Sequence, residues 1–227
     1  MRRFPLLRLA GTVAVLVCAG CATVSHEPRN LSLLKREVRA YVESGDYERE
    51  IAVVAARAAA WIEARVASSG DVQASAAAGK LTVVFDLDET LFSNWPNMES
   101  LDLGYSTATW TAWVSEGRAP AIKPVCEVYR AARRLGVDVV LITGRRERDR
   151  AGSEKNLRAI ECTDYVALIC KPDMDKRTAA AFKTAERQRL TTAGRTIIAN
   201  IGDQESDLVG GFAERTFKLP APFYLTE

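Results

Sequence analysis

Leu81-Thr82-Val83-Val84-Phe85-Asp86-Leu87-Asp88-Glu89-Thr90 is the stretch that decides how this chain folds. Its first five residues are apolar or β-branched, too short a run for a buried helix and suited to a strand buried on both faces. The run stops abruptly in acidic residues. Three later runs repeat the pattern: Val137 to Ile142, ending in Thr143; Tyr165 to Ile169; and Thr196 to Ile201, ending in Gly202-Asp203. Helical stretches separate them, at Pro124 to Leu135, Glu147 to Ile160 and Arg177 to Thr192. Strands alternating with helices in this way predict an α/β fold, a doubly wound parallel sheet covered on both faces.

Two segments stand outside that rhythm. Residues 31–66 predict an N-terminal helical segment of two helices, with Leu33, Leu34, Val38 and Tyr41 on one stripe and Ile51, Val54, Ala55, Ala58 and Ile62 on the next, broken at Ser44-Gly45-Asp46. Residues 91–123 are long for a strand-to-helix connection and carry Trp95, Tyr105, Trp110 and Trp113. An insertion there stands over the carboxyl ends of the strands as a small cap. Its aromatic residues are expected either to pack the cap or to stack on a ligand. One domain over 31–224 accounts for all of this, a normal size for a single core.

Upstream, Arg2 and Arg3 precede an apolar run from Phe4 to Val17 and then Cys18-Ala19-Gly20-Cys21. A positive start, a short apolar stretch and small residues before a cysteine predict a secretory signal over 1–20. Cys21 is expected to become the lipidated first residue, with 21–30 as a polar tether. A bacterial lipobox usually has Leu three positions before the cysteine, where this chain has Cys18; plain secretion and a retained signal anchor are the alternatives. The expected location is the bacterial cell envelope, outside the inner membrane. Of five cysteines, Cys126, Cys162 and Cys170 fall inside the fold, an odd number that leaves at least one thiol without an internal partner.

The net charge of +2 is nearly balanced and no basic block stands out, which argues against a nucleic-acid polymer as partner. The only histidine, His26, lies in the tether. Chemistry through phosphohistidine, a Ser-His-Asp triad or a His-ligated zinc is thereby excluded from the fold. What remains is oxygen chemistry. Three strand ends deliver Asp86 and Asp88, then Thr143, then Asp203 and Asp207, and ligands of parallel sheets bind at those ends. Carboxylates gathered there repel one another unless a cation neutralises them, and an all-oxygen set suits Mg²⁺. Asp207 also reads as a helix cap.

Asp86-Leu87-Asp88-Glu89-Thr90, Thr143-Gly144-Arg145 and Gly202-Asp203-Gln204-Glu205-Ser206-Asp207 resemble the first, second and fourth motifs of the haloacid dehalogenase (HAD) superfamily of phosphohydrolases. The sequence is most similar to its secreted acid phosphatase branch, which includes plant acid phosphatases, vegetative storage proteins and class B or C bacterial enzymes. That likeness rests on Tyr41 to Tyr47, Trp113 to Pro120, Ile201 to Leu208 and Arg215 to Pro220. It implies a HAD-like fold and Mg²⁺-dependent hydrolysis of small phosphate monoesters, nucleotides among them. It also implies roles. Asp86 would attack phosphorus and form an aspartyl-phosphate. Asp88 would act as acid and then base. Asp86, Asp88, Asp203 and Asp207 would hold the metal. Thr143, with Gly144, would bind the phosphoryl oxygens. Lys183 fits the third motif, with Lys171 as the rival, and Arg145 would either bind substrate or pair with a nearby acid. A non-catalytic storage or binding protein and a phosphotransferase are the other readings of the same scaffold.

Overall fold

The computed structural model describes residues 27–69 and 80–226. The expected signal segment, Cys21 and His26 lie outside the described residues. Among those described, no helix is long and apolar enough to cross a membrane.

The chain begins with α1 (Leu31–Glu43) and α2 (Asp46–Ala67), parted by Gly45 in the left-handed region at φ 77°. Then come β1 (Lys80–Phe85), α3 (Trp95–Ser100), α4 (Thr107–Glu116), α5 (Lys123–Arg134), β2 (Asp138–Arg146), α6 (Arg150–Ala159) and β3 (Ala167–Lys171). The last elements are α7 (Ala179–Thr192), β4 (Arg195–Gly202), α8 (Glu205–Leu208) and β5 (Thr216–Lys218). The five strands form one sheet in the order β3-β2-β1-β4-β5, every pair parallel.

Alternation along the strands builds two cores. Val83 and Phe85 of β1 and Val139 and Leu141 of β2 pack with Ile51 and Ile62 of α2 and Val125 and Tyr129 of α5. Val84, Val140 and Ile142 face the other way, onto Phe182 and Leu190 of α7. Both sheet faces are thus covered, as the apolar strands predict, and truncating any one of these buried side chains would cost about 2–5 kcal/mol.

The element bounds differ from the sequence reading in ways that have physical causes. β2 runs on through the polar Thr143 to Arg146, with a register break against β3, because main-chain pairing does not need apolar side chains. β3 starts at Ala167, later than Tyr165, and reaches Lys171; it is an edge strand paired on one side only. The stretch after β2 opens as a single 3₁₀ turn, Glu147–Asp149, before α6. α7 starts at Ala179, where the Thr178 hydroxyl accepts the Ala181 N–H at 3.2 Å. β5 was not foreseen: three residues with one buried position, Phe217, carry no readable period.

The insertion after β1 holds α3 and α4, and the N-terminal helices hold the insertion in turn. Lys35 and Arg39 of α1 bind the Asp102 carboxylate between α3 and α4, the lysine at 2.7 Å. Rings step from Tyr47 to Phe223 (5.0 Å) and from Phe223 to Trp95 (5.2 Å). Edge-to-face and tilted contacts of this kind tie α2, the C-terminal tail and the cap together.

Candidate active site

β1 carries its ladder one residue beyond the strand, the Asp86 N–H donating to Ile201 O at 3.0 Å, so the Asp86 side chain stands at the carboxyl edge of the sheet. The chain then turns sharply, with Glu89 in the left-handed region at φ 50°. β4 ends beside it in Gly202-Asp203. A Cβ at Gly202 would lie 2.4 Å from Asp207 Oδ2, so only glycine lets the Asp207 carboxylate settle there. Asp207 is a cap, as one reading of the sequence had it: its Oδ2 accepts the Gln204 N–H at 2.9 Å. Its Oδ1 accepts from Lys183 Nζ at 2.6 Å, and the same ammonium donates to Asp86 Oδ1.

Lys183 of α7 is therefore the lysine brought to the cluster. Lys171 is turned away and donates to Arg177 O. Arg187, one turn after Lys183 and almost fully buried, braces the α8 end by donating to Gly211 O at 3.0 Å and to Asp207 O. Asn200 adds a bond to Asp207 O at 2.9 Å.

Three buried carboxylates, from Asp86, Asp203 and Asp207, thus offer oxygens within 4.8 Å of one another, against the single charge of Lys183. Burial pushes Asp86 up to about 7 in spite of Lys183. Asp203 is raised well above the usual carboxylate range by burial and then by Asp86 and Asp207. Burial pulls Lys183 down, but Asp207 and Asp86 outweigh it and the net shift is upward, so it stays charged. Asp203 Oδ1 is buried with no hydrogen-bond partner. A buried acceptor without a donor, in an all-oxygen set with net negative charge, fits a divalent cation.

Asp88 is held apart from that cluster. Arg145 Nε lies 3.0 Å from both Asp88 oxygens and Nη2 lies 2.7 Å from Oδ1. The guanidinium is buried, sits over Phe92 at 4.6 Å and Trp110 at 5.4 Å, and donates to Ser153 Oγ at 3.2 Å. Of the two readings of Arg145, pairing with an acid is the one the structure records. Thr143 is fully buried; its hydroxyl accepts the Arg145 N–H at 3.1 Å, while Gly144 is exposed and lines the cavity.

The cavity above these residues has a volume of about 600 Å³ and is lined by Asp86, Asp88, Lys183, Asp203 and Asp207, with cap residues opposite. The cap aromatics divide. Trp113 is buried and Trp95 packs on Phe223, whereas Trp110 and Tyr105 face the cavity. Sequence reasoning missed three residues. Glu89 is fully buried and pushed up to about 7 by burial and then by Asp88. Asn94 bonds both acids. Tyr224 closes one wall, donating to Glu89 Oε2 at 3.0 Å, while its carbonyl accepts from Gln204 Nε2 at 3.3 Å. Glu89 and Asn94 lie next to a readable motif, but nothing in a tail of prolines and aromatics announces that it returns to the site.

The model of the HAD superfamily, subfamily IIIB (Acid phosphatase), matches residues 9–227. Acid phosphatase 1 of Solanum lycopersicum is 36% identical over 151 residues, covering 64% of this chain and 59% of the relative. Vegetative storage protein 1 of Arabidopsis thaliana is 34% identical over 148 residues, covering 62% of this chain and 54% of the relative. The match thus spans less than two thirds of either plant protein. The class C acid phosphatase from Bacillus anthracis superposes with a TM-score of 0.68 over 86% of this chain and 87% of its own, at 18% identity, a likeness of fold.

Proposed function

The chain belongs to the HAD superfamily, subfamily IIIB (acid phosphatase), and from that membership we propose that it hydrolyses small phosphate monoesters, nucleotides among them, through Asp86. The observation that carries the reading is the meeting of Asp86, Lys183, Asp203 and Asp207 on the wall of one open cavity. Asp86, Asp203 and Asp207, with the Asp88 backbone carbonyl, would hold Mg²⁺, which when bound offsets the repulsion between the phosphate and the carboxylates. The Asp86 carboxylate attacks phosphorus, the bond to the leaving oxygen breaks, and Asp88 gives that oxygen its proton. Water then attacks the aspartyl-phosphate, Asp88 takes the water's proton, and phosphate leaves with Asp86 restored. Lys183 favours the ionised form of Asp86 against the effect of its burial and balances charge on the transferring group, and Thr143 and Gly144 orient the phosphoryl oxygens. The present Asp86 favours this over a storage role.

The test is phosphate release from an aryl phosphate by the chain from Thr23 onward. Turnover is expected with Mg²⁺ and is expected to vanish in EDTA; EDTA-resistant turnover would rule out the cation's part. A second readout needs no catalysis. Protons and the cation compete for the same carboxylates, and Asp86 gives up its proton only as the pH rises toward about 7. Saturating Mg²⁺ should therefore raise Tm by about 5–10 °C above pH 7 and by far less near pH 4.5. An equal shift at both pH values would place the cation elsewhere.

The protein is further proposed to be tethered to the cell-envelope membrane, outside the inner membrane, through lipid on Cys21. The motif at Cys18 to Cys21 supports this reading. Cys21→Ala in the full-length chain is expected to move the protein from the membrane fraction to the soluble one. Continued membrane attachment would point to a retained signal anchor.

A further inference from the structure

Asn94 ties two other parts of the molecule to the Asp88 carboxylate. Its Nδ2 donates to Asp88 Oδ1 at 2.8 Å and to Glu89 Oε2 at 3.0 Å. Its backbone N–H donates to Glu89 Oε1. Its Oδ1 accepts Trp113 Nε1, from cap helix α4, at 2.8 Å. The residue is 1% exposed, so these bonds leave its side chain no freedom. Its orientation is also forced, since turning the amide over would set its oxygen against two carboxylates and its NH₂ against an indole N–H. Glu89 is anchored in turn by Tyr224 from the tail.

The effect on Asp88 is asymmetric. Oδ1 receives Asn94 Nδ2, Arg145 Nε and Arg145 Nη2. Oδ2 receives Arg145 Nε alone, at 3.0 Å. Oδ1 is therefore saturated with donors, and Oδ2 is the oxygen with lone-pair capacity left for exchanging a proton with a substrate. We propose that Asn94 is a positioning residue for proton transfer: it fixes which oxygen of Asp88 carries the proton, and through Trp113 it makes that geometry depend on the seating of the cap. This rests on the reading of Asp88 as the group that protonates the leaving oxygen.

Two esters separate this role from simple packing. Glycerol 2-phosphate leaves as an alkoxide and needs a proton as its P–O bond breaks; 2,4-dinitrophenyl phosphate leaves as a stable anion and needs none. kcat/KM reports steps up to that departure. In Asn94→Ala, kcat/KM for the glycerol ester should fall about tenfold or more while that for the dinitrophenyl ester changes less than about threefold. Trp113→Phe, which keeps an aromatic ring but loses the indole N–H together with the rest of the pyrrole ring, should show the same bias more weakly, and it carries the test if Asn94→Ala does not fold. Equal losses on both esters in these variants, beside a strong bias in Asp88→Asn, would overturn the inference and leave Asn94 a structural residue. Equal losses in Asp88→Asn would overturn the reading of Asp88 itself, and the inference with it.

Discussion

Asp86→Asn is expected to abolish turnover of every phosphate ester, by on the order of 10⁴-fold or more, without unfolding the protein. The amide keeps the size of the carboxylate but cannot attack phosphorus. The fold should tolerate it because burial already works against the Asp86 charge. Lys183 would keep Asp207 as its partner at 2.6 Å, so no buried cation is left alone. Circular dichroism and thermal melting should match the parent chain, with Tm unchanged or slightly higher. Wild-type activity in the variant would show that another group attacks phosphorus. A collapsed melting curve would show instead that the Asp86–Lys183 pair is structural.

Lys183→Met should damage both activity and stability. The ammonium is buried and bridges two buried carboxylates, Asp86 and Asp207, while Asp203 lies close by. Removing it leaves those carboxylates facing one another in low dielectric. Breaking a buried pair from one side costs about 3–5 kcal/mol, which lowers Tm by about 10 °C in a domain of this size. Divalent cation should restore part of the lost stability by supplying the missing charge. Activity should not return with it, falling about 10³-fold, because no group is left to balance the transferring phosphoryl group where Lys183 stood. A variant that melts like the parent without added cation would mean that the carboxylates are neutral, and that Lys183 does not set the charge of the site.

Much of this protein was legible in its sequence. The apolar runs at Val83 to Phe85, Val139 to Ile142 and Ile197 to Ile201 are local patterns, and each became a buried strand of one parallel sheet. Because such strands end at a common edge, Asp86, Thr143 and Asp203 could be placed together before any contact was known. The signals that failed were short or non-local. β5 is three residues long. By contrast, Lys183, the lysine that the sequence favours over Lys171, does reach the cluster, because the Thr178 cap sets where α7 starts and Phe182 packs that helix against the sheet.

What the sequence by itself determined was the order of the four long strands and the main helices around them and the set of acids delivered to one edge, because period and strand termination are properties of adjacent residues. What only the tertiary structure decided was which side chain answers which. Arg145 turned to Asp88, Asn94 joined Asp88 to the cap at Trp113, and Tyr224 came back 135 residues along the chain to Glu89. Those pairings follow from the cost of leaving buried polar groups without partners, and the partners are whatever groups the folded chain places within about 3 Å, without regard to distance in sequence.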